Sequence, residues 1–299
     1  MGLVGIELGG TKCIVVRGDA AGIAERVVFA TLTPEQTLGA ALDQIALWHA
    51  EAPVAAIGIA SFGPVRVNRQ AADYGTILNT PKPGWSGAEV LAMVRERFAC
   101  PVALDTDVNA AALAEHAHGA GQGCANLVYL TIGTGLGGGV LVEGRPVHGS
   151  MHPEIGHVRL RRAAGDVFAG VCPFHGDCIE GLIAGPALIA RLPVAPVELG
   201  PDAPEWDPVG HDLAELLAQL MLTLSPQRII IGGGVANRQP HLLARARKIV
   251  PKLLAGYLEP ADAAYFEALI CPPALGDDAG PMGALCLAAQ ALADAQGRP

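Results

Sequence analysis

A chain of 299 residues, 51% hydrophobic and 16% charged, can bury a large core and is long enough for two domains. Its formal net charge of −9 and its 4% aromatic content exclude a polyanion-binding face and a base-stacking platform, so no nucleic-acid partner is expected. Seven scattered cysteines, an odd number, argue against a disulfide framework and for a reducing, cytoplasmic compartment, and Gly or Pro interrupts every apolar run before membrane-spanning length.

In chain order, 3–8 reads as a buried strand, Gly9-Gly10 as a hairpin turn, 11–17 as the returning strand and 23–31 as a third. Pro34 opens an amphipathic helix to about residue 50, with Leu38, Leu42, Ile45 and Leu47 on its apolar side. A strand at 54–60 ends in Ser61-Phe62-Gly63-Pro64, and a Pro- and Gly-rich loop, 79–85, leads to a helix at 86–98. A fifth strand covers 101–105, and Asp107 starts the Ala-rich helix 109–118. The layout then repeats: strand 126–132, a Gly-rich turn at 133–139 and a returning strand at 140–143. LVGIELGGTKCIV (3–15) and LVYLTIGTGLGGGVLV (127–142) share this order, which predicts a duplicated α/β unit with a cleft between its copies. The remaining elements are a helix at 181–191, a connector at 193–208 and a helix at 207–224. A strand at 228–231 then runs into Gly232-Gly233-Gly234, followed by a helix at 240–257, a strand around Leu269 and a helix at 280–295. The basic cluster Arg245, Arg247, Lys248 and Lys252 falls on one of these helices and reads as a solvated face.

Chemistry concentrates between His152 and Glu180. His157, Cys172, His175 and Cys178 supply two thiolates and two imidazoles, a full tetrahedral set for zinc that leaves no place for water and is therefore structural. The ion would fix the nearby carboxylates Glu154 and Glu180, which suits a site that grips hydroxyl groups. Three Gly-rich turns follow buried strands, at 9–12, 133–139 and 232–234, where backbone N–H groups can converge on an anion. The second contains G-x-G-x-x-G, but a strand rather than a helix follows it, which excludes dinucleotide binding of that type. In Asp105-Thr106-Asp107, at a strand-to-helix junction, one carboxylate is expected to cap the helix and the other to serve in proton transfer.

Taken together, Glu7-x-Gly9-Gly10-Thr11-Lys12, Asp107-x-Asn109-Ala-Ala, Thr131-x-Gly133-Thr134-Gly135, Glu154-x-Gly156-His157 and the Cys172/His175/Cys178 cluster resemble the ROK sugar kinases over nearly the whole chain. Thr80-Pro81-Lys82-Pro83-Gly84-Trp85 and Ser61-Phe62-Gly63-Pro64 are most similar to its bacterial fructokinase branch.

The resemblance implies a two-lobed, duplicated actin-like ATPase (ribonuclease H-like) α/β fold with its active site in the interlobe cleft. The lobes would be 1–112, completed by 280–297, and 113–279 with the zinc loop 152–180. It implies ATP-dependent phosphorylation of the 6-hydroxyl of a hexose, with D-fructose first and a glucokinase or amino-sugar kinase as alternatives. Asp107 would be the general base; Gly9, Gly10, Thr11, Lys12, Thr131, Gly133, Thr134 and Gly135 would hold phosphates; Pro186, Gly232, Gly233, Gly234, Val235 and Ala236 would border adenosine. Gly63, Pro64, Asn79, Asp107, Glu154, His157 and Glu180 would meet the sugar, with magnesium on the Glu7 side and a homodimer as the assembly. A sugar-responsive repressor of the same family is disfavoured, because a first strand at residue 3 leaves no room for a helix-turn-helix. A non-catalytic sugar or ATP binder is disfavoured by Asp107 and the two phosphate turns.

Overall fold

In the computed structural model, which describes residues 2–19, 21–258 and 262–297, the opening apolar run becomes β1 (Gly2–Leu8), the middle strand of a five-stranded sheet. Its Leu3, Val4, Ile6 and Leu8 are all buried, as a strand covered on both faces requires. β1 pairs antiparallel with β2 (Lys12–Asp19), and β2 antiparallel with β3 (Gly22–Ala30). On the other side β4 (Val54–Ser61) and β5 (Val102–Thr106) add in parallel, giving the order β3-β2-β1-β4-β5.

Helix α1 (Pro34–Glu51) starts where its sequence signals say: the Thr33 hydroxyl accepts from the Gln36 N–H at 3.3 Å, and Pro34 sits in the first turn, where its missing donor is harmless. Its Leu38, Leu42, Ile45 and Trp48 join Val4, Ile6 and Leu8 in one core, each full burial contributing roughly 1.5–3 kcal/mol. Leu47 is exposed instead, on the far side of the helix. The C-terminal helix α10 (Ala279–Ala295) packs on β1 and β4 and against α3 (Asp107–His118). The approach is main chain to main chain: a Cβ on Gly58 would run into the α10 backbone at Ala284 and Ala288. The short helix α2 (Val90–Arg97) lies between β4 and β5 in sequence.

The chain divides into two compact units, Met1–Gly119 with Arg145–Pro153 and Leu275–Pro299, and Ala120–Gly144 with Glu154–Ala274. In the second, β6 (Leu127–Ile132) pairs antiparallel with β7 (Leu136–Val142), which the two-residue strand β8 (Arg145–Pro146) follows in the chain. Helices α4 (Ile179–Ile183), α5 (Gly185–Arg191) and α6 (Asp207–Leu224) come next. β9 (Arg228–Gly232), α7 (Gly234–Arg238), α8 (His241–Leu254), α9 (Ala263–Leu269) and β10 (Ile270–Cys271) complete the unit. β9 is parallel to β6 and β10 parallel to β9, so the unit's strands run β10-β9-β6-β7. This is the connectivity of β5-β4-β1-β2, and the repeated strand–turn–strand segments occupy equivalent places in both sheets.

The structure corrects several sequence expectations. The helix expected at 86–98 begins at Val90, because Gly84 and Gly87 have positive φ and Trp85 is buried, its Nε1 donating to the Leu32 carbonyl at 2.8 Å. Gly137, Gly138 and Gly139 belong to β7, leaving Gly133 to Gly135 as the turn. The helix expected at 181–191 is two helices: Ala184 is extended ahead of Gly185-Pro186, and a proline disfavours continuation through the preceding turn. Leu269 ends a short helix, α9, and the strand follows it.

Candidate active site

In the first unit, the β1–β2 turn is tied from below. Gly9 N–H donates to the Lys12 carbonyl at 3.0 Å, Thr31 Oγ1 donates to the Gly9 carbonyl at 2.8 Å, and Lys82 Nζ donates to the Gly10 carbonyl. Gly10, Thr11 and Lys12 are exposed at its rim. The turn is thus rigid while its outer face stays accessible, the arrangement a phosphate cradle requires.

At the β5–α3 junction the cap is Thr106, whose hydroxyl accepts from Asn109 N–H at 3.1 Å, rather than either aspartate. Asp105 is buried and engaged: it accepts from Thr106 N–H at 2.7 Å and from Asn109 Nδ2 at 2.7 Å, and lies 2.9 Å from His148 Nε2. Asp107 opens the helix half-buried, with Val108 N–H donating to its Oδ1 at 2.8 Å. Of the two carboxylates, Asp105 is the more buried and the more fully engaged, and Asp107 is the more accessible.

Glu7, on β1, is pushed from its ordinary 4.5 up to about 7, first by burial and then by the charge of Asp107. Its Oε2 meets no hydrogen-bond partner among the described residues. A carboxyl raised on folding holds a proton that the unfolded chain has already released, so stability falls as pH climbs from 4.5 to about 7. Glu7→Gln should therefore gain on the wild type between about pH 5 and about pH 8, by up to ~3 kcal/mol in urea unfolding of metal-free protein. An equal difference at both pH values would show that Glu7 ionises normally.

Gly63 and Pro64 form a cis turn at the end of β4, and Asn79 is exposed on the loop beyond it. His152, given no role from sequence, anchors this turn: its buried Nε2 accepts from Val65 N–H at 3.2 Å. That hydrogen bond joins positions 87 apart in the chain, and nothing local to His152 signals it.

In the second unit, the Gly133 to Gly135 turn, Gly185-Pro186 and Gly232 to Gly234 come together. Gly185 N–H donates to the Gly133 carbonyl at 2.8 Å, and a Cβ on Gly233 would crowd Thr131 Oγ1 at 2.7 Å. Val235 and Ala236 are buried at the start of α7, so contact with a ligand there would fall mainly to Gly233 and Gly234. Glu180, in the first turn of α4, accepts from Leu136 N–H at 3.0 Å through Oε2. That oxygen lies so near Gly135 that an added Cβ would stand 2.7 Å from it. Glu154 precedes the 3-10 turn Ile155–His157 and is pushed up to about 7, first by desolvation and then by the Glu180 charge.

Around these carboxylates, His157, Cys172, His175 and Cys178 converge, with one ligand atom from each lying within 4.8 Å of all the others. His157 Nδ1 is 3.8 Å from Cys172 Sγ and 3.6 Å from Cys178 Sγ, and His175 Nδ1 is 3.8 Å from Cys172 Sγ. Cys172 and Gly176 exchange backbone hydrogen bonds at 3.1 and 2.9 Å, which makes the knuckle that turns both thiols inward. Burial pushes the Cys178 thiol up to about 11, and a divalent cation would offset this by binding the thiolate. Two sulfurs and two imidazole nitrogens at this spacing fit zinc. The other cysteines, Cys13, Cys100, Cys124, Cys271 and Cys286, form no disulfide and lie outside the cluster.

Residues 3–291 match the model of the ROK family. The chain is 43% identical over 293 residues to a putative fructokinase of Bacillus subtilis, covering 97% of this chain and 96% of the relative. It is 44% identical over 293 residues to a fructokinase of Zymomonas mobilis, with 95% of each covered. Among solved structures, the ROK hexokinase of Thermus thermophilus superposes with a TM-score of 0.80 at 30% identity, covering 98% of this chain and 100% of that one. A ROK family glucokinase of Streptomyces griseus, in complex with glucose and AMPPNP, superposes with a TM-score of 0.73 at 28% identity, covering 97% and 100%. The two-sheet α/β architecture is the actin-like ATPase fold of these kinases. Motifs, fold and matched length agree, and the chain belongs to the ROK family.

Proposed function

We propose that the chain is an ATP-dependent fructokinase that moves the γ-phosphoryl group of ATP to the 6-hydroxyl of D-fructose. The observation that carries this reading is the 43–44% identity to fructokinases over almost the whole chain, against 28% to the glucokinase.

Phosphoryl transfer asks a protein chiefly to position reactants and neutralise charge. Asp107 takes the proton of the attacking hydroxyl, a contribution of about 10²–10⁴-fold. It stands in the first turn of α3, where its carboxylate accepts from the Val108 N–H. Glu180, fixed by the Leu136 N–H, accepts from one sugar hydroxyl. Glu154, near 7, can donate as well as accept. His157 turns Nδ1 to the cysteines, which leaves Nε2 for a further hydroxyl, while Gly63, Pro64 and Asn79 flank the sugar. Gly9, Gly10, Thr11 and Lys12 are our candidates for phosphate oxygens, as are Thr131, Gly133, Thr134 and Gly135, and Gly232, Gly233 and Gly234 with Pro186 border the adenosine.

Magnesium, for which Glu7 is the candidate ligand, neutralises the developing phosphate charge when bound. His157, Cys172, His175 and Cys178 would hold zinc, which would fix the loop next to Glu154 and Glu180. The absence of a disulfide among the seven cysteines supports work in a reducing cytoplasm. No helix among the described residues is long and apolar enough to cross a membrane. A homodimer is the assembly we propose, to be measured by light scattering.

A coupled ADP-release assay over fructose, mannose, glucose and N-acetylmannosamine tests the reading. We expect kcat/KM for fructose to exceed the others by at least ~10-fold, a difference of about 1.4 kcal/mol in transition-state binding. A preference for glucose would make the chain a glucokinase, and ADP release indifferent to sugar would end the kinase reading.

A further inference from the structure

Between His157 and Cys172, residues 158–171 leave the metal cluster and return to it. Both ends are clipped to α4: Ile179 N–H donates to the Val158 carbonyl at 3.0 Å, and Val171 N–H donates to the Gly181 carbonyl at 3.0 Å. The middle is held by charge. Arg162 donates to the Phe168 carbonyl at 2.9 Å and pairs with Asp166, whose Oδ1 accepts from Phe168 N–H at 3.1 Å. Into this arch reaches Arg191, from the last turn of α5. One arm pairs with Asp166; the other donates to Asp212 Oδ2 of α6 at 2.8 Å and to the Leu182 carbonyl of α4 at 3.1 Å. Its guanidinium carbon lies 5.4 Å from the centre of the Phe168 ring.

The side chains of Arg191, Asp166 and Asp212 are 6%, 8% and 0% exposed, so solvent screens them little. Two guanidinium groups and two carboxylates balance in charge, as buried ions must. One planar fork thereby joins the arch, α4 and α6. The arch ends in His157 and Cys172, and α4 directly follows Cys178 and carries Glu180.

We propose that Arg191 is the positioning residue of the metal cluster: by tying residues 158–171 to α4 and α6 it holds His157 against Cys178, and Glu180 beside them, in the arrangement the ion needs. The proposal rests on the zinc reading of the cluster. A loop ordered in advance spends less of the binding free energy on its own ordering and binds the ion more tightly. Lysine cannot do the same work, because a single ammonium does not span three acceptors set around a planar fork.

Arg191→Lys and Asp212→Asn, compared with the wild type well below each protein's Tm, test this. The zinc dissociation constant is read by competition with a chromophoric chelator, and KM and kcat for fructose are read in limiting and in saturating zinc. Both variants should bind zinc ~10–100-fold more weakly, with KM raised in limiting zinc and returned towards the wild-type value in saturating zinc. A role confined to overall stability would not show that rescue by the ion. Wild-type zinc affinity in Arg191→Lys, or a raised KM that zinc does not restore, would overturn the proposal. If the wild type itself holds no zinc, the metal reading falls first and the positioning role with it; if only the variants keep full affinity, the positioning role alone falls.

Discussion

Asp107→Asn should fold as the wild type does and lose at least ~10²-fold in kcat, with KM for fructose little changed. At about 1.4 kcal/mol per decade, an effect of 10²–10⁴ corresponds to roughly 3–5 kcal/mol of barrier. The fold is expected to survive because the junction does not depend on this carboxylate. Thr106 caps α3, and the buried Asp105 and Asn109 pair with each other, with the exposed His148 against Asp105. An amide keeps the size and the contact with Val108 N–H but cannot take a proton. Steady-state kinetics with a melting curve on the same sample separate the two effects. A folded variant with near-normal turnover would remove Asp107 from the base role.

Cys178→Ser should lose the ion and, with it, much of the affinity for sugar. Cys178 is completely buried and adjoins α4, so it couples the cluster to Glu180 two residues on. Without a cation, three ligands remain at the foot of the arch with no ion to hold them together, and neighbouring contacts such as the Leu136 N–H to Glu180 bond lose that support. KM for fructose should rise by at least ~10-fold, with kcat less affected. Chelation of the wild type should reproduce the change and lower Tm; an ion at a thousandfold excess over its dissociation constant contributes about 4 kcal/mol. Metal analysis should find about one zinc per wild-type chain, which the variant lacks. Full activity of Cys178→Ser in metal-free buffer would separate sugar binding from the metal.

Most of this architecture can be read from the chain because its signals are local. The β1–β2 and β6–β7 hairpins announce themselves by apolar runs around glycines, and Thr33-Pro34 marks the start of α1. The cysteine and histidine spacing points to the cluster that the fold assembles. What escaped depends on partners distant in sequence or on turn chemistry. Residues 86–89 look helical until Trp85 is seen buried against the Leu32 carbonyl. Gly137 to Gly139 look like a turn until β6 pairs with them. Arg191 meets Asp166 and Asp212 across separations of 25 and 21 residues, and nothing in RLPVA announces a guanidinium that joins an arch to two helices. His152 and the orphaned oxygen of Glu7 are likewise properties of packing.

The most direct test of the central claim is the identity of the product. Wild-type protein incubated with magnesium-ATP and D-fructose, followed by phosphorus and carbon NMR, should yield a monoester on the C6 oxygen and one ADP per ester formed. A phosphate on another hydroxyl, or ADP and inorganic phosphate with no sugar ester, would contradict the account.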